Sequence, residues 1–160
     1  MLKQHINLMN DGAMQAMTQT VDEILAEAAL YSDQKDYIIV QLPAAAITAA
    51  AGIIAEVSEP FCALVVDKDE VSLVIPHEAW EDFSKRLPNH KVAEKRYKLI
   101  TFDIALEMSL VGFMARISQA LAEANVSILT FGAFTRDHLL VPANQFDIAI
   151  ATLQKLKSRT

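Results

Sequence analysis

The chain has 160 residues, of which 52% are hydrophobic and 21% are charged, and its formal net charge is −6. This composition is sufficient for a buried core and unlike that of a disordered protein. The acidic balance argues against nucleic acid as a partner, since nucleic acid requires local positive charge. The basic cluster of Lys91, Lys95, Arg96 and Lys98 is interpreted as a solvated linker face.

The sequence has no feature of an exported or membrane protein. Cys62 is the only cysteine, which excludes a disulfide within the chain and fits a reducing compartment. Lys3 is not followed by the uninterrupted apolar core of a secretory signal. The apolar stretch 44–57 is shorter than the roughly 20 residues that span a bilayer. We therefore expect a cytoplasmic protein with no membrane partner.

Residues 1–35 are predicted to form an N-terminal helical extension. Hydrophobic residues recur at helical spacing from Met14 to Ala28, and the segment from Thr20 to Glu23 has the form of a capping box. The apolar stripe of this helix would pack either on the protein's own sheet or against a second copy.

Residues 36–92 are predicted to hold a strand, a helix, a hairpin and a second helix. The strand is rich in β-branched residues and ends at Pro43. In chain order, these elements are predicted at 37–42, 44–57, 61–66 with 71–75, and 77–87.

Residues 93–160 repeat that order. An alternating strand at 97–104 precedes a helix whose apolar stripe runs from Leu110 to Ala124, and Asn125 is predicted to be a left-handed residue closing it. A hairpin of 126–134 and 138–141 and a final helix at 144–156 complete the half.

The repeated order predicts an α+β fold of two ferredoxin-like units, each with helices on one face of an antiparallel sheet. Such a unit requires a further strand that neither half shows clearly. We therefore expect that the halves share or exchange strands, or that a partner chain completes the sheet.

Two segments resemble a known family. Residues 109–131, SLVGFMARISQALAEANVSILTF, are similar to the first helix and second strand of ACT domains, the ligand-sensing modules of amino-acid metabolism. The hairpin ending Asp137–Val141, DHLLV, resembles the "DYLLV"-type ending of tandem ACT proteins, which include the aspartate kinase regulatory region and the CASTOR arginine sensors. The match covers about 97–156 and extends by element order to two βαββαβ units, 36–92 and 93–160.

The resemblance implies a binding site at the junction of ACT units, beside the loop between first strand and first helix. The backbone N–H groups around Gly112 would take a ligand carboxylate, and Asp137 or carbonyls near Thr130 would take its ammonium group. The implied ligand-binding residues are Glu107, Ser109, Leu110, Val111, Gly112, Phe113, Met114, Thr130, Phe131 and Asp137.

These residues also have structural explanations, and the chain departs from the family pattern. Gly112 also suits close packing of a helix on a strand, and Asp137 suits a tight turn. Gly132, Ala133 and Phe134 stand where the family usually carries polar residues. The equivalent loop of the first half lacks glycine, so one site is expected, built mainly by the second half.

We therefore expect a non-catalytic regulatory protein that senses a small amino acid or related metabolite and forms a homodimer. Ligand binding would be signalled to a separate protein partner. The alternative is a ligand-free interaction or dimerisation module of the same fold. Catalysis is disfavoured, because no nucleophile has a supporting motif and the four histidines lack metal-ligand spacing. No cofactor and no metal are expected.

Overall fold

The computed structural model describes residues 19–57 and 59–159. It has an α+β fold in which an eight-stranded antiparallel sheet combines with five α-helices. The helices are α1 Val21–Glu27, α2 Ile47–Glu56, α3 His77–Phe83, α4 Phe113–Glu123 and α5 Phe146–Lys157. The strands are β1 Ala29–Tyr31, β2 Asp36–Pro43, β3 Ala63–Val66, β4 Glu70–Pro76, β5 Lys91–Val92, β6 Tyr97–Asp103, β7 Leu129–Gly132 and β8 Asp137–Pro142. Short 3₁₀ turns lie at Ala44–Ala46, Ser84–Arg86 and Ala143–Gln145.

The predicted capping box of the N-terminal helix is confirmed. The Thr20 hydroxyl accepts a hydrogen bond from the Glu23 backbone N–H at 3.2 Å, and the Thr20 N–H donates to the Glu23 carboxylate at 2.7 Å. Both groups would otherwise be unpaired at the helix start. The predicted continuation of this helix through Met14 and Met17 lies outside the described residues.

Strands β1 and β5 were not predicted from the sequence. β1 pairs with β6 from Ala29↔Asp103 to Tyr31↔Thr101, and β5 pairs with β2 through only Val40↔Val92 and Gln41↔Lys91. Strands this short carry no readable alternation, and they form because a longer strand offers an open edge.

The two halves of the chain meet where β2 pairs with β6. These two strands pair through Asp36↔Lys98 and Tyr37↔Tyr97, and the sheet runs in the order β3-β4-β2-β6-β8-β7. β5 and β1 lie beside the remaining lengths of β2 and β6, respectively. The result is one continuous sheet across both halves.

The strand register places the helices on a single side of this sheet. Residues opposite each other in antiparallel strands point to the same face, so Ile38 of β2 and Ile100 of β6 share a side. Ile38 packs in a core with residues of α2, whereas Ile100 packs in a core with α1, α4 and α5. The helix-free side carries a separate cluster of Tyr37, Phe61, Val74, Leu99 and Leu140.

Several boundaries differ from those expected. β3 begins at Ala63 rather than at Phe61, which instead packs on the helix-free side. α4 begins at Phe113 rather than near Leu110, where the predicted apolar stripe starts, because residues 104–112 form a loop and Gly112 is the N-cap residue. The left-handed Asn125 is confirmed, with φ of 56°. None of the helices in the described residues is long and apolar enough to cross a bilayer.

Removing the cap of α1 should destabilise the fold, since α1 leads directly into β1. We expect Thr20→Ala to lower the free energy of unfolding by about 1 kcal/mol, measured by urea denaturation. Thr20→Ser keeps the hydroxyl and is the control. Equal stability of the two variants would show that the capping box contributes nothing.

Candidate functional site

The loop between β6 and α4 is held against the β7–β8 hairpin. The Leu106 N–H donates to the Thr135 carbonyl at 2.8 Å, and the Leu110 N–H donates to the Glu107 carbonyl at 3.0 Å. The first bond joins the two loops, and the second closes a turn within the first loop. Backbone hydrogen bonds of the protein itself therefore hold the β6–α4 loop in position, without a contribution from a ligand.

Gly112 starts α4 in a conformation that favours glycine. Its φ is 96° and its ψ is −7°, in the left-handed region, and no side chain caps the helix. The first intrahelical bond runs from the Arg116 N–H to the Gly112 carbonyl at 3.1 Å. The N–H groups of Phe113, Met114 and Ala115 thus precede the helical bonding pattern, which is the arrangement that favours an anion.

The N-terminus of α4 lines a cleft of about 260 Å³ between the β6–α4 loop and the β7–β8 hairpin. Its lining combines apolar side chains with the carboxylates of Glu107 and Asp137. The lining residues are Leu106, Glu107, Met108, Leu110, Gly112, Phe113, Met114, Ala115, Ala133, Phe134, Thr135, Arg136 and Asp137. We call this the α4 cleft.

Asp137 is the carboxylate in the α4 cleft that is most affected by its surroundings. Partial burial raises its pKa, while the neighbouring His138 lowers it to a lesser extent. Its carboxylate has no hydrogen-bond or ion-pair partner among the described residues. A carboxylate that has lost water without gaining a partner is stabilised by an incoming cation.

The structure brings together six of the ten residues implied by the resemblance. Glu107, Leu110, Gly112, Phe113, Met114 and Asp137 line the α4 cleft. Ser109 and Val111 lie in the same loop but outside the lining, and the Ser109 hydroxyl is 3.5 Å from the Glu107 carboxylate. The ligand role of all these residues stays a prediction.

Thr130 and Phe131 lie elsewhere. They line a groove of about 550 Å³ whose opposite wall is β3, including Ala63 and Leu64. β3 and β7 are the outermost strands of the sheet order, so the sheet curls until its two ends face each other. The Phe61 ring fills part of the gap, with its centroid 5.9 Å from that of Phe131.

Sequence reasoning missed two of the apolar members and the cationic member of the α4 cleft. Met108 was not identified, and Phe134 was noted only as a departure from the family pattern, although the two residues are 83% and 81% exposed. Arg136 lies in the turn between the predicted hairpin strands 126–134 and 138–141. It also lines the cleft, and its Nε lies 3.0 Å from Asp103. The sequence signal that could have identified Met108 and Phe134 is that each is a large apolar residue in a predicted turn near Gly112.

His138 contacts two side chains near the end of β6. Its Nδ1 lies 2.9 Å from the Thr101 hydroxyl, and its ring centroid lies 5.0 Å from that of Phe61. Burial lowers its pKa, with Arg136 adding to the effect and Asp137 opposing it. No group of His, Cys, Asp and Glu suited to a metal ion occurs within residues 19–57 and 59–159.

Gly112→Ala should destabilise the fold through backbone strain alone. A Cβ at this position would lie 3.9 Å from Val21 Cγ2, which is ordinary contact, so only the positive φ opposes the substitution. We expect a loss of about 1–2 kcal/mol in the free energy of unfolding. Gly52→Ala, inside α2 with open space around its Cβ, is the control and should stabilise by roughly 0.5–1 kcal/mol. Equal effects of the two substitutions would contradict the strained geometry.

His138 should make the fold less stable in mild acid. Its pKa is lower in the folded state than in the unfolded chain, so the unfolded state binds the proton more readily. The free energy of unfolding should therefore fall as the pH decreases through 6.5, the pKa of His138 in the unfolded chain. The decrease should end once the pH is below the pKa of His138 in the folded state. Urea denaturation between pH 7.5 and pH 5 tests this, with His138→Gln removing that part of the slope. An unchanged slope in the variant would refute the assignment.

Comparisons with known proteins bear on the fold. Residues 92–155 match the model of the ACT domain. A search of the curated proteins found no match. A crystal structure of an Agobacterium tumefaciens protein is similar to this chain with a TM-score of 0.64 and 22% identity, covering 81% of this chain and 89% of that one.

Two aspartate kinase structures share the fold at lower identity. The regulatory subunit of aspartate kinase from Thermus thermophilus, in its ligand-free form, gives a TM-score of 0.61 and 10% identity over 80% of this chain and 97% of its own. Clostridium acetobutylicum aspartate kinase gives a TM-score of 0.63 and 15% identity, over 82% of this chain and 35% of its own. Residues 92–155 therefore match the ACT domain, and 80% of the chain shares its fold with the regulatory subunit of aspartate kinase.

Proposed function

We propose that the protein is a non-catalytic regulatory ligand-binding protein that senses a small amino acid or related metabolite in the α4 cleft. One observation carries the proposal. The uncapped start of α4, held open by Gly112, and the unpaired carboxylate of Asp137 line the same cleft. The free N–H groups at the start of α4 can bind an anion, and the Asp137 carboxylate can bind a cation. A cleft that offers both suits a zwitterion.

In this proposal each ligand group has a defined partner. The backbone N–H groups of Phe113 and Met114 bind the carboxylate, with the dipole of α4 adding favourable potential. Asp137 binds the ammonium group. The apolar lining, which includes Leu106 and Leu110, contacts the ligand side chain.

We also propose that the chain is organised as two ACT-like units, 36–92 and 93–160, preceded by the extension 1–35. The strand neighbours support this division, since β5-β2-β4-β3 and β1-β6-β8-β7 repeat one order. The fourth strand of the second unit then comes from the extension rather than from a partner chain.

A regulatory role requires that ligand binding favours one arrangement over another. The proposed arrangements are those of a homodimer, and a separate protein partner would respond to the change. The ligand shifts the equilibrium only by its difference in affinity between the two arrangements.

A second candidate is a ligand-free interaction module of the same fold. It is favoured by the exposure of Met108, Val111 and Phe134 near the mouth of the α4 cleft, at 83%, 86% and 81%. Exposed apolar side chains gathered in two adjacent loops often mark a protein contact.

A thermal-shift screen against the twenty amino acids and related metabolites tests the proposal. A ligand at 100 times its dissociation constant stabilises the folded state by about 2.7 kcal/mol. For a chain of this length, the melting temperature should rise by roughly 5–10 °C. Asp137→Asn should abolish the rise by removing the ammonium partner.

The matched control is Asp69→Asn, which removes a carboxylate from the corresponding hairpin of the first half and should keep the full response. A ligand response that survives Asp137→Asn would remove the α4 cleft as the site. A flat response over the whole panel would favour the interaction module. In that case substituting Val111 and Phe134 by Ser should change self-association in sedimentation velocity.

A further inference from the structure

A second cleft lies on the helix-free side of the sheet, away from the start of α4. Its volume is about 250 Å³. Its lining residues are Tyr31, Pro60, Phe61, Leu99, Thr101, Asp103, Arg136 and His138. Only Arg136 also lines the α4 cleft. We call this second space the His138 cleft.

The polar groups of the His138 cleft are mainly hydrogen-bond donors with unused capacity. Arg136 bonds to Asp103 through Nε, which leaves its terminal nitrogens without a partner among the described residues. The Tyr31 hydroxyl likewise has no protein partner within the part of the chain that the structure describes. Asp103 already accepts the Arg136 hydrogen bond, so its acceptor capacity is partly used.

His138 adds a further donor to this set. Its Nδ1 is engaged with the Thr101 hydroxyl, so Nε2 is the ring nitrogen left for a ligand. Burial disfavours the charged ring. When Thr101 donates to Nδ1, the neutral ring carries its proton on Nε2 and becomes a donor there.

The remaining walls are apolar. Phe61 and Leu99 are buried, and Pro60 continues the wall beyond them. An apolar wall facing a few polar groups is typical of small-molecule sites. A guanidinium whose two terminal nitrogens are free presents a pair of N–H groups that matches the two oxygens of a carboxylate.

We propose that the His138 cleft binds a small monocarboxylate with an apolar body, such as an aromatic or branched aliphatic acid. Arg136, Tyr31 and His138 donate to the carboxylate, and the apolar body contacts Phe61 and Leu99. This site is separate from the α4 cleft and requires no ammonium group on its ligand.

Benzoate and isovalerate are the probes, and benzamide is the neutral analogue of benzoate. Calorimetry measures affinity, and the imidazole proton signals of His138 report on the site. Benzoate should bind and shift these signals, whereas benzamide should bind about tenfold more weakly or not at all.

Two substitutions at the ion pair should act in opposite directions. Arg136→Gln removes the main carboxylate partner and should weaken benzoate binding about tenfold. Asp103→Asn removes the competing anion and should strengthen it. A purely structural role for the ion pair would make both variants bind less well.

Further variants separate the two clefts. Tyr31→Phe should weaken benzoate binding, whereas Gly112→Ala should leave it unchanged, because Gly112 lines only the α4 cleft. Equal binding of benzamide and benzoate, no binding by wild type, or no effect of Arg136→Gln would overturn the proposal. The benzamide and Tyr31→Phe results do not bear on the amino-acid response that tests the α4 cleft, because Tyr31 lines only the His138 cleft. Arg136 lines both clefts, so Arg136→Gln is assessed by benzoate binding alone.

Discussion

The short pairing of β2 with β6 is the contact on which the rest of the structure depends. Two residue pairs, Asp36↔Lys98 and Tyr37↔Tyr97, are enough to join the halves into one sheet. Tyr37 is fully buried and donates to the Asp33 carboxylate at 2.6 Å, so the junction is anchored where the strands begin. Because the pairing is short, each strand keeps a free edge further along, and β1 and β5 occupy those edges. The same register holds all the helices on one side.

This arrangement places both clefts around the end of β6. Thr101 and Asp103 line the His138 cleft on the helix-free side, and the loop that follows β6 lines the α4 cleft. Arg136 lies at the boundary and lines both. Its bond to Asp103 fixes the hairpin to the strand, so the shapes of the two clefts depend on one exposed ion pair. Such a pair contributes little to stability, and its importance here is geometric.

The sequence predicts the longer elements well because each carries a strong period of its own. The alternating strand at 97–104 and the helical stripe beginning at Leu110 both correspond to observed elements. β1 and β5 could not be predicted from a local sequence pattern, because they form only by pairing with the free edges of β6 and β2. The candidate site was predicted in part for the same reason. The local pattern identified Gly112, but the curl of the sheet, which separates Thr130 and Phe131 from the α4 cleft, is a property of the whole sheet.

The two halves differ at the loop that holds the candidate site. In the first half, Pro43 ends β2 and the chain enters the 3₁₀ turn Ala44–Ala46 directly, so α2 starts close to its strand. In the second half, residues 104–112 intervene, and the left-handed Gly112 turns the chain into α4. The loop creates the open space, and the glycine leaves the helix start uncapped within it. The strand order repeats while the loop does not, so the halves differ in the connection that carries the candidate site.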